Sequence, residues 1–143
     1  MLATALLCLV VGISDGDTLT ARCGQPGEYE QVKIRLAGID APEKAQPFGQ
    51  RSKDTLSDLC YMVEAKITPH AKDRYKRTVA DVECRGKDAG QHLVYSGMAW
   101  VYEKYDKGYD HLYPLQDAAI KARHGLWQPG DAVAPWAWRK GTR

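Results

Sequence analysis

The dipeptide Asp15-Gly16 constrains this chain more than any other feature, because it sets the register around it. Both central residues of a type I′ hairpin turn need φ > 0, and Asp-Gly supplies them. Cys8 and Cys23 each lie seven residues out from that pair. They would therefore face each other across an antiparallel ladder, leaving Cys60 to pair with Cys84. Two disulfides suit an oxidising compartment. Four buried thiols are the alternative, since free Cys is among the most buried residue types. No Cys-x-x-Cys pair and no Cys/His cluster has the spacing of a zinc site.

Apolar and polar residues alternate on both sides of this turn. Segments 8–14 and 18–23 read as its two strands, and Gln31-Val32-Lys33-Ile34-Arg35-Leu36 as a third, with Val32, Ile34 and Leu36 inward. Segment 38–49 reads as an ordered loop. Leu56, Leu59, Cys60 and Val63 then form one stripe of a helix. A fourth strand is expected over 64–68, ended by Pro69, and a fifth over 77–84. Asp88 can N-cap a short helix through Tyr95 that Gly97 closes. A further helix is expected over 111–123, with Pro114 in its first turn, Leu112, Leu115, Ala119 and Ala122 inward, and Gly125 as its stop. This order predicts an α+β, mainly β fold: a five-stranded Greek-key barrel of OB type with three α-helices.

A chain of 143 residues with 44% hydrophobic and 27% charged residues fits one globular domain, expected over 8–138. Segment 1–7 reads as an ordinary N-terminus or the remnant of an export signal, and 139–143 as a mobile basic tail. A net charge of +2 is too small to announce a nucleic-acid binder by itself. No apolar run of 20 residues is present, which argues against a membrane-spanning helix. A monomer without a membrane partner is expected.

The chemistry lies in acids and arginines grouped by position. Asp15 and Asp17 flank Gly16, Asp40 and Glu43 follow the third strand, Arg35 leaves that strand's outer face, and Arg77 opens the fifth. Asp15 reads as a turn residue. Asp17 and Asp40, with the Ala41 carbonyl aimed by Pro42, form a hard-oxygen set of the kind Ca²⁺ takes. Phosphodiester hydrolysis needs such a cation, guanidinium groups for the growing phosphate charge, and a carboxylate such as Glu43 to hold or deprotonate water.

These residues carry a resemblance. Asp15-Gly16-Asp17-Thr18, the run from Arg35 to Glu43 (RLAGIDAPE), and Asp73-Arg74-Tyr75-Lys76-Arg77 resemble the staphylococcal nuclease-like family, as do Gly97-Met98-Ala99-Trp100-Val101-Tyr102 and Gly125-Leu126-Trp127. The resemblance implies a Ca²⁺-dependent nuclease acting on DNA and/or RNA by metal-assisted attack of water. Asp17, Asp40 and Ala41 would hold the metal. Arg35 and Arg77 would bind the scissile phosphate, and Glu43 would act on the water. Tyr75 and Tyr102 match nucleotide-contacting positions. Two departures concern substrate: Lys76 replaces the usual glycine, and Trp100 stands where a nucleotide-binding tyrosine is found.

Lys66, Lys72, Arg74, Lys76 and Arg77 place positive charge beside the site, and Trp100 and Tyr102 offer rings for stacking, with core packing as their alternative. An export-type location, periplasmic or secreted, follows from the disulfide reading. The competing functions are a catalytically inactive OB-fold module that only binds nucleic acid, and a calcium-binding structural protein. The first usually lacks one of the key acids or arginines; the second leaves the arginines and aromatics unexplained.

Overall fold

The apolar alternation becomes a closed barrel in the computed structural model, which describes residues 4–141. Its strands are β1 (Leu6–Asp15), β2 (Thr18–Cys23), β3 (Glu30–Leu36), β5 (Glu64–Lys72) and β6 (Thr78–Cys84); β4 (Ile39–Asp40), β7 (Lys87–Asp88) and β8 (Trp100–Val101) are two-residue strands. The helices are α1 (Gly49–Cys60), α2 (Ala89–Tyr95), α3 (Tyr113–Ala122) and the short α4 (Pro135–Arg139). The main sheet runs β3-β2-β1-β5-β6-β7, and parallel pairing of β3 with β6 closes it. Leu19, Ile34, Leu36, Ile67 and Val82 of the strands are buried with Leu56 of α1 and Leu93 of α2. The result is the expected five-stranded barrel of OB type, with a fourth, short helix added.

The hairpin corrects the expected register. Asp15 pairs with Thr18, so Gly16 and Asp17 are the central residues of the turn. Neither has a positive φ. Gly16 is required for space: a Cβ there would collide with the Ser52 side chain of α1. Two irregularities, each with an extra residue on β1 (Ser14 and Val11), then shift the pairing until Leu9 faces Arg22. Those two shifts restore the Cys8–Cys23 match, and both disulfides, Cys8–Cys23 and Cys60–Cys84, are present. The first joins β1 to β2; the second ties the end of α1 to the end of β6.

Other boundaries differ for local reasons. β1 starts at Leu6, because Leu6 and Leu7 pair with Ile67 and Lys66 of β5; residues 1–3 of the expected export remnant and residues 142–143 of the tail lie outside the described residues. β5 continues through Pro69, where a register shift before Ala71 accommodates the missing N–H. α1 stops at Cys60, so Val63 packs on the core from outside the helix. Ala122 is exposed, and α3 ends at Arg123 in a left-handed conformation with φ 54°, ahead of Gly125. Asp88 caps α2 as expected, accepting from the Gln91 amide at 2.8 Å. Among the described residues no helix is long and apolar enough to cross a membrane.

Each disulfide closes a loop of 15 or 24 residues. Loop entropy assigns each about 3 kcal/mol of stability. Urea unfolding with and without reductant should therefore show a markedly lower midpoint for the reduced protein; coincident curves would contradict this assignment.

Candidate active site

The β1–β2 turn, the end of β3 and the short β4 meet at one rim of the barrel, and each contributes a charged residue. Asp17, 7% exposed, is fixed on both oxygens: Oδ1 accepts from Thr18 Oγ1 at 2.9 Å and Oδ2 from the Ala41 amide at 2.8 Å. Asp40, 1% exposed, lies in β4 and pairs with Trp100 of β8. Arg35, on β3, reaches between them. Its Nη1 donates to the carbonyls of Leu36 and Ile39 at 2.8 and 2.9 Å, and its Nη2 lies 3.3 Å from Asp40 Oδ1 and 3.5 Å from Asp17 Oδ2. The guanidinium is thus anchored on backbone before it meets either carboxylate.

Burial pushes the Asp40 carboxyl up to about 6; Asp17 adds to the rise, while the Arg139 hydrogen bonds and the Arg35 charge oppose it. Asp15 is raised too, first by burial and then by Asp17 and Glu43. The rim is therefore an acidic concentration that draws positive charge.

Arg139 supplies part of that charge, although the sequence reading assigned it to a mobile tail. It closes α4, and its Nη2 lies 2.6 Å from Asp40 Oδ2 while Nη1 lies 2.6 Å from Glu43 Oε1. A segment with Pro135 at its first turn and two tryptophans was the available signal for an ordered end. Trp136 of α4 stacks on Tyr102 with ring centroids 5.3 Å apart and planes 4° from parallel, and meets Trp100 edge-on.

A groove of about 1090 Å³ joins these residues to the loop after β5. Asp17, Arg35, Asp40, Ala41, Glu43, Arg74, Tyr75, Arg77 and Tyr102 all line it. Arg77 is held by Asp73, with Nε 2.7 Å from Oδ2, so it would have to exchange that carboxylate for a phosphate. Arg74 donates to the Tyr75 hydroxyl at 2.8 Å, and both Arg74 and Arg77 lie over the Tyr75 ring. Two expected substrate residues stand apart. Lys76 is exposed and is not among the groove's lining residues. Trp100 packs between Trp127 and Trp136, which occupies the ring that was expected to stack on bases.

Among the described residues no group of three or more His, Cys, Asp and Glu side chains forms a ready metal cage. The donors at the rim are nevertheless all hard oxygens, and the Arg139 guanidinium bridging Asp40 and Glu43 stands where positive charge is accommodated. The two carboxylates fit a Ca²⁺-type cation in kind, and the Ala41 carbonyl, with water or substrate, would complete such a coordination.

Two outcomes follow from the loop after β5. Lys76 has φ 65°, the left-handed region that favours glycine. Relief of roughly 1–2 kcal/mol of strain outweighs roughly 0.5–1 kcal/mol of added chain entropy. Lys76→Gly should raise stability in urea by up to about 1.5 kcal/mol; a clear loss would count against it. For Asp73, burial alone would raise the carboxyl, but hydrogen bonds from the Arg77 amide and guanidinium and the Tyr75 amide outweigh it and hold it below 3.8. A depressed folded value gives stability that is present above the unfolded value and lost as pH falls through the folded one. A carbon-detected NMR titration should place the Asp73 inflection below 3.8, moving upward in Arg77→Ala; an inflection at or above 3.8 in the parent would refute the pairing.

Similarity to known proteins agrees with this geometry. The family profile described as staphylococcal nuclease homologue matches residues 33–129. An uncharacterised endonuclease of Haemophilus influenzae is 44% identical over 133 residues, covering 93% of this chain and 72% of that protein. A micrococcal nuclease of Shigella flexneri is 35% identical over 144 residues, covering 94% and 80%. A staphylococcal-like nuclease of Arabidopsis thaliana is 38% identical over 114 residues, covering 80% of this chain and 35% of its own length. With its barrel, its rim of acids and arginines and these matches, the chain belongs to the staphylococcal nuclease family.

Proposed function

We propose that the protein is a Ca²⁺-dependent nuclease that hydrolyses phosphodiester bonds of DNA or RNA. The observation that carries this reading is the convergence of Asp17, Asp40, Arg35, Glu43 and Arg77 on one groove. Nuclease names among the relatives support the activity. Both disulfides support an oxidising location, periplasmic or secreted.

Each residue has a role its position permits. Asp17 and Asp40, with the Ala41 carbonyl, hold the cation. When bound, the cation supplies charge to the phosphate oxygens and acidity to water. Arg35 meets a phosphate oxygen with a head already oriented by the Leu36 and Ile39 carbonyls, so little reorganisation accompanies the growing charge. Arg77 leaves Asp73 to make the second phosphate contact. Glu43 accepts a proton from the attacking water or holds that water in line; at Oε1 the water competes with Arg139. Arg74 and Tyr75 track the strand beyond the scissile bond, with Lys76 adding charge at the edge, and Tyr102 offers a ring for stacking. Trp100 can stack only if Trp136 moves away.

Single-turnover cleavage of a defined oligonucleotide tests this. Glu43→Gln keeps shape and loses charge, and should lower the rate on the order of 10²–10³-fold. Arg35→Lys should fall comparably, because the ammonium lacks the planar fork. Chelator should abolish cleavage and leave the barrel folded. Cleavage by Glu43→Gln at the parent rate would remove Glu43 from the reaction, and full activity in chelator would remove the metal. Binding of oligonucleotide without any cleavage by the parent would favour the inactive OB module.

A further inference from the structure

The two guanidinium groups at the rim differ in how they are held. Arg35 has a side chain only 13% exposed and bonds to two backbone carbonyls as well as to acids. Arg139 has a side chain 40% exposed, and its hydrogen bonds go to Asp40 and Glu43. The first is built into the barrel rim. The second sits on the end of a five-residue helix and can leave without breaking a backbone contact of its own.

The groups it covers are one carboxylate assigned to the cation, Asp40, and the one assigned to the water, Glu43. Arg139 approaches both oxygens of Asp40, at 2.6 and 3.3 Å, and one oxygen of Glu43 at 2.6 Å. A Ca²⁺ ion would need an Asp40 oxygen at about 2.3–2.6 Å. Arg35 and Arg139 already share Oδ1, and Arg139 alone occupies Oδ2 at 2.6 Å, so an ion on that oxygen would take the place of the guanidinium or add a third positive charge to one buried carboxylate. The ion and Arg139 therefore compete. The same helix stacks Trp136 on Tyr102, and the loop before it is tied down by Gln46, whose Nε2 donates to the Val133 carbonyl. The hold is incomplete: among the described residues Nε1 of Trp100, against which Trp136 packs, is buried without a hydrogen-bond partner, and such a group costs roughly 1–3 kcal/mol.

We propose that α4 is an inhibitory strap: Arg139 holds the cation site closed and Trp136 covers the nucleotide-stacking face of Tyr102 until a divalent cation displaces the arginine. This rests on the metal reading above. Displacement frees Glu43 for water and Tyr102 for a base in one movement, so cation entry and opening of the substrate surface are coupled. A site whose open form is a minority binds its ligand more weakly by that fraction.

The test is calorimetric titration with Ca²⁺ alone at fixed ionic strength, on the full chain, with hydrogen exchange of the amides of Trp136 to Arg139 as a second readout. Arg139→Gln should bind Ca²⁺ about tenfold more tightly than the parent, the gain expected if the closed form is about nine-tenths populated. Lys140→Gln removes the same charge from the adjacent exposed residue and should stay near the parent, which separates displacement from a general field effect. In the parent, Ca²⁺ should speed exchange in α4. If Ca²⁺ binds the parent but Arg139→Gln is no tighter, or Lys140→Gln gains as much, or exchange in α4 is unchanged, the strap is refuted while the metal reading stands. If neither the parent nor Arg139→Gln binds Ca²⁺, the metal reading itself fails and the strap falls with it.

Discussion

Taking a carboxylate out of water costs several kcal/mol unless a positive charge comes with it, and this rim buries two, Asp17 and Asp40. Arg35 is the cation embedded with them. Its contacts with the Leu36 and Ile39 carbonyls lock β3 to the start of β4, while its other nitrogen faces both acids. Asp17 in turn accepts from the Ala41 amide, so the turn between β1 and β2 is tied to the segment that bears Glu43. Loss of Arg35 would remove the one guanidinium that faces both buried acids and the link between the Leu36 and Ile39 carbonyls, leaving Arg139 as the cation on Asp40.

Much of this was legible in the sequence because the information was local. Alternation in 18–23 and 31–36 located β2 and β3, and the run from Arg35 to Glu43 placed an arginine and two acids within nine residues of chain. The disulfide pairing was reached although the assumed turn was one residue early, because two shifts on β1 compensate for the error. Nothing in a pattern of period two announces an extra residue in one strand. Pro69 misled for a similar reason: a proline argues against a continuing strand, yet a register shift lets β5 carry it.

The larger omission was α4. Five residues make too short a helix for periodicity to register, and Arg139 lies 96 positions from Glu43. Its partners are set by the folded barrel rather than by neighbours in sequence. The surroundings of Trp100 were out of reach on the same ground. Its chain position suggested a base-stacking ring, while Trp127 and Trp136, both distant in sequence, close around it.

Closure of the barrel has a consequence for how the protein comes into being. The parallel contact of β3 with β6 joins Ile34 to Thr78 and Leu36 to Ala80, and the Ala37 amide donates to the Ala80 carbonyl. These contacts are long in sequence and span both a helix and a strand, so their loop entropy must be met before they return anything. Arg35 and Arg77 stand at the ends of those two strands. The pairing of β3 with β6 brings both to the lining of one groove. Until β3 and β6 pair, the groove that Asp17, Arg35, Asp40, Glu43 and Arg77 line is not assembled, so the site forms only with the finished barrel.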